Sequence, residues 1–164
     1  MTMINWNMLF EDMEEENPEL GFEELVRKTI HRQTGFDCEK KQVLGRSGNH
    51  HEVDAVPLVR GRQNERYLHL INIKDIITAD TNNSTWYSHV DHAHARMDEV
   101  GGDFIPKSLV LREFSDVGDR SFKAEFASIG ARIIDIETFG KLIKEIELFA
   151  ENPAQFTQRP PIDK

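Results

Sequence analysis

The stretch "LHLINIKD", from Leu68 to Asp75, is the apolar segment around which the rest of the chain can be arranged. Its run of Leu and Ile predicts a buried β-strand whose side chains point alternately to the two faces of a sheet. Asn72 and Lys74 are two residues apart, so they share one face near the end of this strand. An amide and an ammonium aimed at one place indicate either a functional site or a strand end that carries polar residues.

A second strand-like run, "HHEVDAVPLV", lies upstream at residues 50–59 and carries a single acid, Asp54. Neighbouring strands of a sheet lie less than about 5 Å apart. If the two runs pair, Asp54 and Asn72 can therefore reach one metal ion, with Lys74 beside it. The alternative is that the three residues only mark the frayed ends of two strands.

The patterns on either side predict a mixed α/β domain. A helix is expected over residues 21–34, ended by Gly35, because Phe22, Leu25, Val26 and Ile30 form an apolar stripe. Strands at 36–44, 50–59 and 66–74 are expected to form an antiparallel meander. Further helices and strands alternate at 82–101, 107–114, 118–130, 131–136 and 137–150. The order α-β-β-β-α-β-α-β-α predicts a mixed central sheet flanked by helices.

The length of 164 residues suits one domain. We expect an acidic N-terminal arm with a short amphipathic helix at 1–18, the domain proper at 19–150, and an extended tail with three prolines at 151–164. No apolar run approaches the roughly 18 residues that a membrane span needs, so a membrane is not an expected partner. Cys38 is the single cysteine, which excludes an internal disulfide and a cysteine-based zinc cluster and favours a cytoplasmic location.

The net charge of −9 is concentrated in the arm: residues 1–24 contain eight acids and no Lys or Arg, which leaves −1 for the remaining residues. The apolar stripe of the arm, formed by Trp6, Leu9, Phe10 and Met13, is expected to be exposed and to act as a contact surface. It would dock on a second copy, on a larger partner protein or on the chain's own basic groove. The alternative left open is a helix that packs beside the first core helix.

Two stretches together resemble a known family. Residues 21–75, "GFEELVRKTIHRQTGFDCEKKQVLGRSGNHHEVDAVPLVRGRQNERYLHLINIKD", contain a helix with a Phe-Glu pair, a Ser-Gly loop, a strand that is similar to H-x-x-D-V and a strand that ends near a lysine. In this order they resemble the core of the PD-(D/E)xK nucleases, most of all the Mrr-type restriction endonucleases. The stretch "SLVLREFSDVGDRSFKAEFASIGARIIDIETFGKLI" is similar to the ending of Mrr-type domains. The resemblance covers roughly residues 21–146.

The resemblance implies a restriction endonuclease-like three-layer fold and a DNA endonuclease that uses Mg²⁺ or Mn²⁺ to hydrolyse phosphodiester bonds, as in phage defence or DNA processing. It assigns Asp54 to the metal-binding aspartate and Lys74 to the catalytic lysine. Asn72 stands where the family usually has Glu, Asp or sometimes Gln. Either Glu23 or Glu24 matches an additional acidic metal ligand of some members.

The substitution at Asn72 leaves two functions open. Magnesium binds oxygen ligands and retains several waters, so Asp54 and the amide oxygen of Asn72 can suffice. Removing one carboxylate, however, weakens the binding of a divalent cation. The alternative is therefore a catalytically degenerate nuclease-fold module that serves nucleic-acid or protein binding, as in an inactive subunit or a regulator. A third option is a phage or defence-system protein that acts only when bound to a larger partner.

Nearby basic residues are candidates for contacts with nucleic-acid phosphates: Arg46, His51, Arg60 and Arg62. His89 and His92 lie one helical turn apart and can share a zinc ion with Asp91, although a polar helix face is the better interpretation of that segment. The sequence contains no glycine-rich phosphate loop and no Gly-x-Ser-x-Gly motif, and Cys38 has no obvious histidine partner in sequence.

Overall fold

The computed structural model describes residues 3–78, 85–100, 105–116 and 120–151. The helices in these ranges are α1 (Trp6–Glu16), α2 (Phe22–Thr34), α3 (Thr85–Glu99), α4 (Phe122–Ala127) and α5 (Phe139–Glu151). The strands are β1 (Asp37–Leu44), β2 (His50–Arg60), β3 (Glu65–Tyr67), β4 (Leu70–Ile77), β5 (Lys107–Glu113) and β6 (Ala131–Ile134). None of the helices in the described ranges is long and apolar enough to cross a membrane.

The strands form one six-stranded mixed sheet in the order β1-β2-β4-β5-β6, with β3 paired to β2. The pairs β1–β2, β2–β3 and β2–β4 are antiparallel, whereas β4–β5 and β5–β6 are parallel. The predicted α/β class with a mixed central sheet is confirmed. The predicted tail at 151–164 lies outside the described residues except for Glu151, and so do the predicted caps of α3 at 82–84 and Gly101.

Two helical layers cover the sheet. One face packs against α1, α2 and α5 in a cluster that includes Phe10, Val26, Ile73, Val110 and Phe139. The other face packs against α3 and α4 in a cluster that includes Trp86, Met97, Leu109, Leu111 and Phe122. Adjacent residues of β5, such as Leu109 and Val110, thus belong to opposite layers, as the pleat requires.

Helix α2 ends where the sequence predicts. Glu23 and Glu24 lie in its first turn and His31 and Arg32 in its last, which complements the helix dipole. Gly35 follows with φ 79°, a left-handed conformation that glycine adopts without steric cost, and its N–H donates to the carbonyl of His31.

The predicted strand over 66–74 is interrupted, and it forms the separate strands β3 and β4. The break lies opposite Pro57 of β2. The carbonyl of Pro57 accepts a hydrogen bond from the Leu68 N–H at 2.8 Å, but proline has no N–H to donate in return. The next β2–β4 pair is Ala55–Ile71, which is displaced by one residue from the β2–β3 register.

The apolar stripe of the arm is not exposed, which corrects the expectation from the sequence. Phe10 and Met13 of α1 are 1 % and 3 % exposed. The Phe10 ring lies 5.1 Å from that of Phe139 and 6.3 Å from that of Phe22, measured between centroids. Helix α1 is therefore part of the main hydrophobic core.

Candidate active site

A cleft of about 390 Å³ opens where β2 and β4 stop pairing. Beyond the pair Ala55–Ile71, no further β2–β4 pair occurs in the described part of the sheet. The cleft lies between the two helical layers and receives residues from both: Glu23 of α2, Glu52 and Asp54 of β2, Ile73, Lys74, Asp75 and Ile76 of β4, and His89 and Arg96 of α3.

Asp54 is placed by a β-bulge. In the β1–β2 register Glu39 faces Val56 and Lys41 faces Val53, so Asp54 and Ala55 both lie opposite Lys40. The bulge redirects the Asp54 carboxylate towards β4, where its Oδ2 accepts the Ile73 N–H at 2.7 Å. The backbone carbonyl of Asp54 accepts from Nη1 of Arg27 at 2.7 Å. The carboxylate is thus held by the Ile73 N–H, and the backbone of Asp54 by Arg27, at the point where the strands separate.

The pKa of Asp54 is raised above its ordinary value, first of all because the carboxyl group is buried. The Ile73 N–H and the positive charge of Lys74 lower this pKa, whereas the negative charges of Glu23 and Glu52 raise it. Asp54 is 6 % exposed. A buried carboxylate that is destabilised in this way gains from any cation that binds beside it.

Lys74 is half-buried and lines the same cleft as Asp54. Within the described ranges its ammonium forms no ion pair or hydrogen bond, although four carboxylates line the same cleft. A second bulge follows it, because Lys74 pairs with Leu111 and Ile77 with Glu113, so that two residues of β4 face one residue of β5. Lys74 is a cation positioned to act on a ligand.

The structure distinguishes the two adjacent acids of α2. Glu23 lines the cleft, whereas Glu24 is exposed and does not. Nζ of Lys40 lies 3.6 Å from Glu23 Oε1 and 3.5 Å from Glu52 Oε2. Such exposed, loose pairs contribute little stability, so both carboxylates can take another ligand at small cost.

Asn72 is 2 % exposed and does not line the cleft. It pairs with Leu109 of β5, so its side chain faces the layer of α3 and α4. Its Nδ2 has no hydrogen-bond partner. A buried amide without a partner costs about 1–3 kcal/mol, so Asn72 is not explained by the stability of the fold.

The sequence interpretation missed Glu52, Asp75, His89 and Arg96 as residues of the cleft. Glu52 could have been found, because it precedes Asp54 by two residues in the same strand. His89 and Arg96 are seven residues apart and share one face of α3, but no sequence signal places that face over β4.

The predicted phosphate contacts Arg46, His51, Arg60 and Arg62 do not line the cleft. Arg46 pairs with Asp98 at 3.2 Å, and His51 Nε2 lies 3.1 Å from Glu99 Oε1. Arg60 is bound by three acids, Asp37, Glu39 and Glu65. Arg62 is exposed.

Two other chemistries find no support in the geometry. No group of three or more His, Cys, Asp or Glu residues in the described ranges is arranged to hold a metal ion, and Asp91 pairs with Arg120 rather than with His89 and His92. Burial raises the pKa of the Cys38 thiol to about 12, so this cysteine is not a thiolate nucleophile at neutral pH.

Comparison of the chain with protein-family models, with curated proteins and with solved structures finds no match. The functional interpretation therefore depends on the cleft itself.

Proposed function

We propose that the chain is a divalent-cation-dependent endonuclease that hydrolyses phosphodiester bonds of DNA at the cleft between β2 and β4. One observation carries the proposal. Asp54 and Lys74, from two strands that separate at this point, line one cleft with Glu23 of α2, and the lysine ammonium is unpaired within the described ranges. Metal-assisted phosphoryl transfer requires a carboxylate that binds a cation and a positively charged group that is available to the phosphate. Asp54 and Lys74 are groups of these two kinds.

The donor atoms of the cleft fit Mg²⁺ or Mn²⁺. Asp54, with Glu23 or Glu52 at the rim, offers one or two carboxylates, and magnesium is usually bound by that number together with several waters. This mode of binding does not need a group of three protein acids. The amide of Asn72, which the resemblance offers as a neutral ligand, is buried and does not line the cleft, so the proposed ligands are Asp54 and a carboxylate at the rim.

The residues of the cleft divide the chemistry between them. A bound cation would supply a Lewis acid that polarises the phosphoryl group and activates water. Asp54 and Glu23 would hold the cation, and Glu52 accepts a hydrogen bond from the attacking water and can take its proton. The Lys74 ammonium stabilises the negative charge that develops on phosphate as the water oxygen bonds to phosphorus and the P–O bond to the sugar breaks.

The mixed sheet with helices on both faces is compatible with the restriction endonuclease-like fold that the sequence resemblance implies. In that interpretation Asp54 and Lys74 keep their assigned roles, and Glu23 rather than Glu24 is the additional acid. Restriction-like enzymes act on DNA, which is why DNA is the proposed substrate.

A second candidate is a module that binds nucleic acid without cleaving it. The observation that favours this function is Asn72, a buried neutral amide at the position where the family that the chain resembles usually has a carboxylate. The same assay distinguishes the two candidates, because a binding module retains DNA without nicking it.

The test is nicking of supercoiled plasmid DNA by the purified chain with Mg²⁺, with Mn²⁺ and with EDTA. We expect nicking with either metal and none in EDTA. Asp54→Asn and Lys74→Met should each lower the rate by at least about a hundredfold, the usual loss when one charged group of a catalytic site is removed. Glu147→Gln and Lys144→Met are the matched controls, because both residues are exposed on α5, and they should leave the rate unchanged.

Nicking that survives both Asp54→Asn and Lys74→Met would show that the activity resides elsewhere. Absence of nicking, together with DNA binding by the wild-type chain, would favour the binding module.

A further inference from the structure

The two walls of the cleft differ in charge. The α2 wall presents Glu23, and the α3 wall presents His89 and Arg96. The strands between them contribute the carboxylates of Glu52, Asp54 and Asp75 and the cation Lys74. Glu23 is flanked by Arg27 and Lys40 at 3.7 and 3.6 Å, whereas the residues that α3 contributes to the cleft include no acid, so a polyanion is attracted most strongly on the α3 side.

Arg96 differs from most arginines of the chain. It is exposed and has no ion pair or hydrogen bond within the described ranges. The neighbouring acids of α3 do not neutralise it, because Asp98 pairs with Arg46, and Glu99 accepts hydrogen bonds from Ser47 and contacts His51. Residues of the turn between β1 and β2 thus pair with the acids next to Arg96, and the positive charge of Arg96 is not compensated by these acids.

The α3 wall is fixed in place near Arg96. The buried Nζ of Lys107 donates to the carbonyl of Met97 at 2.7 Å and to that of Val100 at 3.3 Å. The Arg46 N–H donates to the carbonyl of Glu99 at 2.8 Å. The end of the helix that carries Arg96 is therefore held by the sheet and by the β1–β2 turn, and it does not need to be ordered by a ligand.

The spacing along α3 matches a nucleic-acid strand. Seven residues at a rise of 1.5 Å place the Cα atoms of His89 and Arg96 about 10 Å apart along the helix axis. One strand of B-DNA carries a phosphate for about every 3.4 Å of its axis, so this distance spans roughly three phosphates. Both residues can thus contact phosphates of one strand that enters the cleft of Asp54 and Lys74.

We infer that α3 is the wall that binds the DNA backbone, with Arg96 and His89 contacting phosphates of the strand that is cut. This inference rests on the proposed function, because it assumes that the cleft receives a phosphodiester. It assigns the binding of flanking phosphates to the α3 pair rather than to Arg46, His51, Arg60 or Arg62.

The test is the fluorescence anisotropy of a short labelled DNA duplex, titrated with the full chain in EDTA so that the DNA stays intact. We expect Arg96→Gln to weaken binding about tenfold, as for the loss of a charged hydrogen bond. The slope of log K against log salt should fall by about 1, as for one lost phosphate contact. Arg96→Lys should restore the slope, and His89→Gln should cause a smaller loss of affinity because imidazole has fewer donors.

Arg32→Gln is the matched control, since Arg32 is also exposed but lies at the far end of α2, away from the cleft. It should leave affinity and salt slope unchanged. In the plasmid assay, Arg96→Gln should raise KM and keep kcat, because Arg96 binds flanking phosphate and not the reacting one.

If Arg96→Gln has the affinity and salt slope of the wild type while Asp54→Asn abolishes nicking, the inference is overturned and the proposed function stands. If the wild-type chain neither binds nor nicks DNA, both are overturned. A loss of affinity equal to that of Arg32→Gln would show only a change in net charge, and it would also overturn the assignment.

Discussion

At the scale of single residues, the carboxyl group of Asp54 stabilises the place where two strands separate. Its bond to the Ile73 N–H satisfies a backbone donor that would otherwise pair with β2. The same bond leaves the second carboxylate oxygen available to the cleft. A residue of this kind serves the fold and the site together, so an effect of Asp54→Asn on cleavage has to be compared with its effect on stability.

His69 is a buried residue whose protonation affects the stability of the fold. It is fully buried, and its Nε2 lies 2.8 Å from Oγ of Ser108. Its Nδ1 lies 3.8 Å from Glu145 Oε1, too far for a hydrogen bond. Burial, assisted by the charge of Arg132, lowers the pKa of His69 to about 3. The imidazole is therefore neutral in the folded chain, and its contact with Glu145 is not an ion pair.

This residue predicts a loss of stability in acid. An unfolded histidine has a pKa of about 6.5, so between pH 6.5 and about 3 the unfolded chain binds a proton that the folded chain does not. Stability due to His69 is thus complete above pH 6.5 and falls as the pH decreases, by about 1.4 kcal/mol for each pH unit. Urea denaturation at several pH values should show a weaker pH dependence in His69→Gln than in the wild type.

His92→Gln is the control, because His92 is exposed on α3 and should have the pH dependence of the wild type. Asp54 and Glu145 have raised pKa values, so their contributions fall as the pH rises and have the opposite sign. The informative quantity is therefore the difference between His69→Gln and His92→Gln. Equal slopes in these two variants would exclude a neutral His69 as the cause.

At the scale of elements, α1 connects the hydrophobic core to the edge of the cleft. Nη1 and Nη2 of Arg112 of β5 donate to the two carboxylate oxygens of Glu14 of α1, at 3.2 and 3.1 Å. Nε of Arg112 donates to Asp75. The guanidinium also lies over the ring of Phe22, 4.5 Å from its centroid. Since Asp75 follows Lys74 directly, α1 supports the strand end that carries the lysine.

Two substitutions in α1 test its role in the core. Phe10→Ala should lower the free energy of unfolding by about 3–5 kcal/mol, because it leaves a cavity among Phe22, Phe139 and their neighbours. Met8→Ala on the same helix should cost less than about 0.5 kcal/mol, because Met8 is 58 % exposed. Urea denaturation of both variants gives the comparison. Similar small losses would mean that α1 is an appendage and not part of the core.

The elements that could be predicted from the sequence are those with a strong local signal. The apolar stripe and Gly35 define α2, and the alternation in 68–75 predicts the buried strand that carries Lys74. The pleat places Asn72 and Lys74 on one face, as expected. The two bulges could not be predicted, because they depend on how β2 pairs with β1 and β4 with β5. For the same reason the sequence could not decide that Asp54 turns towards the Ile73 amide.

At the scale of the whole molecule, the site is built where the two helical layers meet around a gap in the sheet. Sequence reasoning identified Asp54 and Lys74, because each is a polar residue in an apolar strand. It could not choose between Glu23 and Glu24, since that choice depends on how α2 is rotated about its axis. Predicting Arg96 as a residue of the cleft requires knowledge that α3 lies over β4, and only the tertiary structure provides it.

The acidic N-terminal region does not block the cleft. Residues 1–24 carry −8 of the net −9, yet Glu23 is the one acid among the described residues of this region that lines the cleft. Helix α1 packs on α2 and α5, and its acid nearest to the cleft, Glu14, is paired with Arg112 beside Asp75. The expectation that this helix docks in the chain's own basic groove is therefore wrong, because α1 packs into the hydrophobic core.

The account depends most directly on a divalent cation held by Asp54 and Glu23. Isothermal titration calorimetry with Mn²⁺ measures this without DNA, and because the pKa of Asp54 is raised, binding should strengthen as the pH rises. We predict one ion per chain, loss of binding in Asp54→Asn, and at least tenfold weaker binding in Glu23→Gln. The adjacent Glu24→Gln should bind as the wild type does. Equal affinity in the wild type and Asp54→Asn, or equal losses in Glu23→Gln and Glu24→Gln, would contradict the account.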